Sequence, residues 1–229
     1  TMTSGFGDIS AAGGTPTVTF NGGTNAVAVD VNSINCCAGG TGSTFSLQVE
    51  SGNLNAGNIN TSGSTTLKAN GATGDVITCG TITSSSGTTT LESKGGNVVV
   101  NNDVSETGGA LVLTSGTGAA NNVTIKAGAT ASGSITTDVN TPIFNDNGTV
   151  KSGSGLLTIQ GTGAGNALIV NMGAGSAITS TGNNVQFNTA GKQGSVTMTS
   201  GFGDISAAGG TPTVTFNGGA NAVAVDVNS

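Results

Sequence analysis

A short pattern of apolar runs recurs along the chain, and it restricts the fold more than any other feature. One β-type run repeats at intervals of 22 to 24 residues, so that Leu67, Leu91 and Leu113 occupy equivalent positions. Two more apolar runs follow each of these, and corners rich in Gly, Ser and Asn separate the three runs. β-Branched and apolar residues favour strands, whereas Gly and Asn favour tight bends. Each unit of about 22 residues is therefore predicted to hold three short strands.

A unit of three short strands cannot enclose a core alone, so copies of it must stack. We expect each strand to pair in parallel with its counterpart in the next coil, and inward positions such as Val99 and Leu113 to form one narrow core. The composition suits a narrow core, because the 229 residues include 41 Gly and the only aromatic residues are seven Phe. The sequence predicts an all-β parallel β-helix, or β-solenoid, of about ten coils. Regular β-sandwich repeats, which would need a thicker core, are the alternative.

A second, much longer repeat relates the two ends of the chain. Residues 197–229 repeat residues 1–33 with one difference, Thr24 against Ala220, at an offset of 196 residues. We expect residues 1–196 to form one long repeat of about nine coils, and residues 197–229 to begin the next. Neither end segment has the polar sequence that caps a solenoid, which predicts a much longer array or filament. A fragment, or an imperfect duplication with real ends, is the alternative.

The charged residues argue against several classes of partner. The net charge is −6, from eleven acidic residues and five Lys, with no His. The acids are scattered singly, as on a solvated surface. Nucleic-acid binding would need clustered Lys or Arg, and no apolar run approaches the roughly 18 residues of a membrane span. We therefore expect neither a nucleic-acid partner nor a membrane span.

Carboxylates are the best candidates for catalysis, and they do not favour an enzyme. β-Helical proteins that cleave carbohydrates use clustered carboxylates or a carboxylate beside Arg, and this chain has no Arg. Glu92 and Asp103, or Asp103 and Glu106, could come close together, but exposed acids on a soluble shaft explain them more simply. We expect no enzymatic activity and no cofactor.

The three cysteines are Cys36, Cys37 and Cys79. Without His or a CxxC motif they do not form a zinc site. Cys37 and Cys79 are 42 residues apart, about two coils or 9–10 Å, whereas a disulfide needs Cα atoms within about 7 Å. A bridge from Cys79 to either of the others is disfavoured unless a coil is irregular, and a Cys36–Cys37 bridge would be strained. We expect one of the adjacent pair to pack inward and the other to face out; a bond to a neighbouring chain is the alternative.

Four further motifs have plain structural explanations. NDNG (145–148) alternates oxygen ligands as calcium loops do, but an Asn-Gly turn is sufficient, and no metal site is expected. Thr-x-Thr runs such as TPTVTF (15–20) could match an ice lattice, but other coils hold LVL, LLTI or VQF there. The Gly-rich segments 4–10 and 161–166 lack the strand and helix of a phosphate loop. Sequons, which only a suitable export pathway would glycosylate, are at Asn60, Asn122 and Asn147.

The coils end in Ser/Thr and Gly, as in ITSSSG (82–87) and AITSTG (177–182). In this they resemble the β-helical shafts of filamentous-haemagglutinin-type adhesins and related giant repetitive bacterial surface proteins. The resemblance implies a right-handed parallel β-helix, an extracellular or cell-surface location, and a role in adhesion, biofilm or filament formation. We therefore expect a structural shaft that associates head-to-tail with copies of itself, with cell-surface or matrix components as further partners. The alternative is a binding module whose outer face recognises glycans, ice or a host surface.

Overall fold

The computed structural model describes residues 2–3, 7–11, 17–117, 121–139, 143–153, 155–161, 167–189, 194–200, 203–208 and 213–226. The regular secondary structure within these ranges is entirely β-strand, which confirms the predicted all-β class. The strands are β1 (Met2–Thr3), β2 (Asp8–Ser10), β3 (Thr17–Asn21), β4 (Val27–Val31), β5 (Ser33–Asn35), β6 (Cys37–Gly42), β7 (Phe45–Val49), β8 (Leu54–Thr61), β9 (Thr65–Ala69), β10 (Val76–Thr78), β11 (Ile82–Ser84), β12 (Thr88–Ser93), β13 (Val98–Val100), β14 (Val104–Ser115), β15 (Asn122–Ile125), β16 (Thr130–Val139), β17 (Ile143–Asp146), β18 (Thr149–Ser152), β19 (Leu157–Gly161), β20 (Leu168–Met172), β21 (Ala177–Ser180), β22 (Val185–Phe187), β23 (Val196–Ser200), β24 (Asp204–Ala207), β25 (Val214–Phe216) and β26 (Val223–Asp226).

The strands stack in three columns, called faces 1, 2 and 3, and every pairing between described strands is parallel. The chain contributes one strand to each face in turn, and the long strands β8, β14 and β16 each serve two faces. Face 1 contains β1, β4, β7, β9, β12, the second parts of β14 and β16, β19, β22 and β25. These ten strands give about ten coils, as the sequence predicts.

The other two faces follow the same order along the chain. Face 2 contains the first part of β8, then β10, β13, β15, β17, β20, β23 and β26. Near the amino terminus β2 and β5 take its place in the chain order and pair with each other. Face 3 contains β3, β6, the second part of β8, β11, the first parts of β14 and β16, β18, β21 and β24.

The core is a set of side-chain columns that run along the stack. On face 1, Leu47, Leu67, Leu91 and Leu113 lie directly above one another, and all four are fully buried. This register confirms the equivalence predicted for the last three. In most strands alternate residues face outward, although all five residues of β19 are buried. The narrow interior is filled mainly by Leu, Val, Ile, Ala and small polar side chains.

The predicted inward direction of Val99 is wrong. On β13 it is Val98 and Val100 that are fully buried, while Val99 faces outward and is half-buried. Three consecutive valines do not alternate between apolar and polar residues. The sequence of this run therefore does not show which of the valines face inward. Leu113, in contrast, is buried as predicted.

The length of a coil varies more than the sequence pattern indicates. Paired residues are 22 apart between β10 and β13, as expected, but 18 apart between β4 and β7 and 29 apart between β22 and β25. In sequence, the extra residues of the longer coils fall between the described strands. Lengthening a corner costs little free energy because loop-closure entropy grows slowly with length.

Side chains at one corner bond successive coils to each other. Asn53, Asp75 and Asn97 each precede a strand of face 2, and they lie in register with Asn122, the first residue of β15. Each of the first three accepts, at its Oδ1 atom, a hydrogen bond from the backbone N–H of the next, at 3.0, 2.7 and 2.9 Å. This ladder gives partners to backbone amides at a bend, where strand pairing does not provide them.

The two copies of the 33-residue segment lie on different faces. Met2 pairs with Val29 and Met198 pairs with Val225, so the local register is the same in both copies. However, β1 belongs to face 1 and β23 to face 2. Twenty-two described strands precede β23, and three of them serve two faces, so the described part of the repeat contains 25 strand positions. These positions amount to eight coils and one further strand.

Candidate interaction sites

Exposed apolar side chains concentrate in the first and last described coils. Among the described residues, the large apolar side chains that are exposed are Met2, Leu156, Val214, Val223 and Val225. All except Leu156 lie in a terminal coil. Met2 is 45% exposed, whereas its counterpart Met198, which lies between β20 and β26, is 1% exposed.

The duplicated segment shows directly what a further coil does to these side chains. Val27 and Val29 are 8% and 4% exposed where β7 covers them. Their counterparts Val223 and Val225 are 45% and 37% exposed. Because the local sequence is the same, the difference comes from the neighbouring coil and not from the residues themselves.

The backbone of the last described coil also has an open edge. Among the described strands, β24, β25 and β26 pair only with β21, β22 and β23 respectively. A strand with one unpaired edge can accept another strand through its free N–H and C=O groups. Apolar exposure and open backbone therefore coincide on the same surface, which we call the end surface (β24, β25 and β26).

The cysteines lie near the other end, where the coils are shortest. Cys36 is buried, Cys37 is half-buried and Cys79 is exposed, and all three are free thiols. Cys36 and Cys37 face opposite sides of the chain, as expected for consecutive residues in extended backbone. The thiol of Cys79 interacts with that of Cys37 although the two residues are two coils apart. The sequence did not predict this proximity.

The thiols of Cys36 and Cys79 are held in the protonated form. Burial, with a smaller effect of Cys37, raises the pKa of the Cys36 thiol. Burial, followed by the interaction with Cys37, raises the pKa of the Cys79 thiol to about 12. Nucleophilic cysteines have a lowered pKa, so these environments do not favour covalent catalysis.

Of the three acidic residues considered for catalysis, Glu92 and Asp103 each contact a different partner on the outside of the protein. Glu92 forms an ion pair with Lys68 at 2.8 Å on the outside of face 1. Asp103 is exposed and its Oδ1 atom accepts a hydrogen bond from the backbone N–H of Thr130 at 2.8 Å. Neither arrangement places two carboxylates together.

Glu106 corrects the expectation that these acids are all exposed. It is 3% exposed and points inward, in phase with the buried Val104 two residues earlier. Its two oxygens accept hydrogen bonds from the Thr89 hydroxyl and the Gly108 backbone N–H, each at 3.1 Å. Alternation from Val104 is the signal in the sequence that could have identified it.

Asp146, within the NDNG motif, is the most unusual acidic residue of the described chain. It is fully buried, in register with Ile125 below and Met172 above. Its Oδ1 atom accepts the Gly148 backbone N–H at 3.0 Å, and its Oδ2 atom has no hydrogen-bond partner among the described residues. Burial raises the pKa of this carboxyl to about 7, and the Gly148 bond offsets part of the effect. Alternation from the buried Phe144 could have predicted its inward direction.

The outer surface of face 1 lacks a regular threonine array. Thr66 and Thr90 are in register, but Val112 continues that column and Gln186 interrupts it further along. The described aromatic side chains face inward or are half-buried, and they are Phe20, Phe45, Phe144, Phe187 and Phe216. The outer surface of face 1 therefore offers no ice-matching lattice, and the described aromatic side chains form no exposed row of rings for stacking on sugars.

The remaining sequence motifs add little to the description of a site. Of the sequon residues, Asn60 and Asn147 are exposed and Asn122 is half-buried. Most of the Gly-rich segment 161–166 and residues 4–6 of segment 4–10 lie outside the described residues.

Comparison with known proteins does not assign a family. The chain matches no protein-family model, no curated protein and no solved structure. In the part of the chain that the structure describes, no helix has the length and apolar character needed to cross a bilayer. The resemblance to surface adhesins therefore rests on strand spacing and composition, in a chain that folds as a parallel β-solenoid with exposed apolar side chains in its first and last described coils.

Proposed function

We propose that this chain is a length of structural shaft in a long extracellular filament or surface adhesin, and that it associates along the solenoid axis with copies of itself. The observation that carries the proposal is the exposure of Val223 and Val225, whose counterparts Val27 and Val29 are buried beneath a further coil. The extracellular or cell-surface location is supported by the resemblance in coil pattern.

The repeat also indicates which strand the end surface would accept. β26 has the sequence VAVD, which is also the start of β4, VAVDV. β4 pairs in parallel with β7, and Val27 and Val29 then pack below Phe45 and Leu47. β7 itself pairs on both edges, with β4 and β9. Among the described strands of the first coil, β1, β2 and β3 each pair on one edge only. One of these strands from another copy, in the position that β7 has above β4, would bury Val223 and Val225 in the same way. Such a head-to-tail contact does not close on itself, so it extends a filament.

The alternative function, a binding module for glycans, ice or a host surface, has less support. The outer surface of face 1 has no threonine lattice, and the described aromatic side chains form no exposed row. We therefore propose a mechanical role, in which the parallel hydrogen-bond ladder carries load along the axis.

Val223→Asp combined with Val225→Asp is expected to prevent end-to-end assembly and leave the fold intact. Both side chains are exposed in the single chain, so the carboxylates stay solvated until a second copy approaches. Burying them in the contact would cost several kcal/mol. The measurement is analytical ultracentrifugation over a range of concentrations, with electron microscopy and fibre diffraction of the parent protein.

Ala224→Asp is the matched control, because its counterpart Ala28 faces outward and is half-buried even beneath β7. It should assemble like the parent protein. Parent filaments should show the strand spacing of about 4.8 Å along the fibre axis. A parent protein that stays monomeric at all concentrations, or fibres with that spacing perpendicular to the axis, would contradict the proposal.

A further inference from the structure

Asn-Gly dipeptides are places where a polypeptide can modify itself without an enzyme. The backbone nitrogen of the glycine loses its proton and attacks the side-chain carbonyl carbon of the asparagine, and ammonia leaves. Glycine favours this attack because it has no side chain to obstruct it. The asparagines that precede a glycine in this chain are Asn21, Asn70, Asn147 and Asn217. The group that accepts the glycine N–H then decides how readily the proton is lost.

At Asn147 this acceptor is a carboxyl group. The Gly148 backbone N–H donates a hydrogen bond to the Oδ1 atom of Asp146 at 3.0 Å. A general base must lie within about 2.6–3.2 Å of the atom whose proton it takes, and Asp146 meets this condition. Asn147 is exposed, so water can reach its side chain and ammonia can leave it.

The surroundings of Asp146 favour the uptake of a proton. Its Oδ2 atom has no hydrogen-bond partner in the described part of the chain, and the residue lies in register between Ile125 and Met172. A buried carboxylate that lacks such partners is a stronger base than an exposed one. Burial raises the pKa of Asp146 to about 7, near the value at which a general base works best at neutral pH. The charged residues of the neighbouring elements are exposed, and they are Lys126, which follows β15, and Lys151, on β18.

Two glycines shape the corner around Asn147. A Cβ atom on Gly173, in the next coil, would overlap with the Oδ1 atom of Asn147, so the glycine leaves space for the asparagine amide. A Cβ atom on Gly148 would overlap with the carbonyl oxygens of Lys126 and Ala129 in the coil before. Substitution of either glycine would disturb the corner, so the role of the carboxyl is best tested at Asp146.

Asn21 provides a reference site within the same molecule. It is exposed, as Asn147 is, and the N–H of Gly22 is also hydrogen-bonded. Its acceptor, however, is the backbone carbonyl oxygen of Thr41, at 2.7 Å. A carbonyl oxygen accepts a hydrogen bond but is far too weak a base to take the proton. The two sites therefore differ in whether the acceptor can act as a base.

We propose that Asp146 promotes deamidation of Asn147, so that the chain modifies itself at this corner. The Asp146 carboxylate takes the proton of the Gly148 N–H while the nitrogen bonds to Cγ of Asn147. The bond from Cγ to the side-chain nitrogen breaks, and ammonia leaves with that proton. The product is a succinimide ring, which one water molecule opens to aspartate or isoaspartate, and no electron is transferred. The proposal is independent of the shaft function.

The folded protein, incubated at neutral pH, is expected to gain aspartate and isoaspartate at position 147 about 100-fold faster than at position 21, since general-base catalysis contributes a factor of this order. Peptide mapping by liquid chromatography and tandem mass spectrometry measures both rates in one sample. The rate at position 147 should rise with pH and level off above about pH 7, where Asp146 is ionised. The rate at position 21 should continue to rise with the hydroxide concentration.

Asp146→Asn is the decisive variant, because asparagine keeps an oxygen acceptor for the Gly148 N–H and cannot take the proton. The rate at position 147 should fall about 100-fold, lose its levelling above neutral pH and approach the rate at position 21. Circular dichroism checks that the variant is folded. In urea, where the corner is unfolded, the two proteins should deamidate at similar rates at position 147.

Three results would overturn the proposal. One is a folded parent protein in which position 147 stays unmodified or reacts no faster than position 21, because the bond to Asp146 would then only hold the nitrogen in place. Another is an unchanged rate at position 147 in folded Asp146→Asn. The third is a rate at position 147 that follows the hydroxide concentration throughout, because it would show that solvent and not Asp146 removes the proton.

Discussion

Leu113→Lys is expected to abolish cooperative folding of the solenoid, or to lower its free energy of unfolding by about 3–5 kcal/mol. Leu113 is fully buried and lies directly above Leu91 in the leucine column of face 1. An ammonium group there would be an unpaired charge in an apolar interior, and the burial of the leucine side chain would also be lost. Since domains are stable by only about 5–15 kcal/mol, the loss is a large part of the total. Urea unfolding followed by far-UV circular dichroism measures it.

Val112→Lys is the matched control for this prediction. Val112 is the preceding residue of the same strand, but it faces outward between Thr90 and Thr136 and is half-buried. A lysine there can extend into solvent, so a change within about 1 kcal/mol is expected. If Leu113→Lys and Val112→Lys unfold at the same urea concentration as the parent protein, the stacked core is not where the structure places it.

The parent protein is expected to be more stable at pH 5 than at pH 8, and Asp146→Asn is expected to remove most of the difference. Burial raises the pKa of Asp146 from an ordinary 3.8 to about 7 in the folded chain. A carboxyl with a raised folded-state pKa contributes its stability fully below its unfolded pKa and loses it as the pH rises through the folded value. The loss therefore develops between about pH 4 and pH 7 and amounts to about 4 kcal/mol, at about 1.4 kcal/mol for each pKa unit.

The variant should accordingly be stabilised at pH 8 relative to the parent protein and nearly unchanged at pH 4. An asparagine keeps the acceptor for the Gly148 N–H and cannot ionise. Asp204→Asn, which changes an exposed aspartate, serves as the control for net charge and should leave the pH profile in place. Thermal unfolding across the range from pH 4 to pH 8 distinguishes the two; equal profiles for Asp146→Asn and the parent would disprove the role of this carboxyl.

The repeating part of the fold could be predicted because its determinants are local. Leu67, Leu91 and Leu113 mark one column, and their spacing defines coil, strand and parallel register together. Alternation within a strand also indicates which residues face inward, and applied from Val104 or Phe144 it reaches Glu106 and Asp146. Alternation cannot show which residues face inward where every residue of a strand is apolar, as around Val99.

The irregular features could not be predicted, because they depend on how neighbouring coils differ. In sequence, the later coils are longer because the segments between their described strands are longer, and these segments leave the apolar pattern of the strands unchanged. β8 has one residue more than β6 between the pairs Ala38–Ala56 and Gly40–Ile59. A uniform coil of 22 residues gives the correct number of coils between Cys37 and Cys79, but it shows neither this irregularity nor the interaction of the two thiols.

The 25 strand positions of the long repeat give any array of such repeats a screw symmetry. Because 25 is not a multiple of three, each repeat begins one face further around the axis than the one before it, as β1 and β23 show. A residue that occurs once per repeat, such as Cys79, would then appear on each side of the shaft in turn and return to the first after three repeats. A filament built in this way has no privileged side. A surface feature on one side of a repeat would then occur on all three sides of the filament. Neighbouring filaments could therefore contact it from any of these three sides.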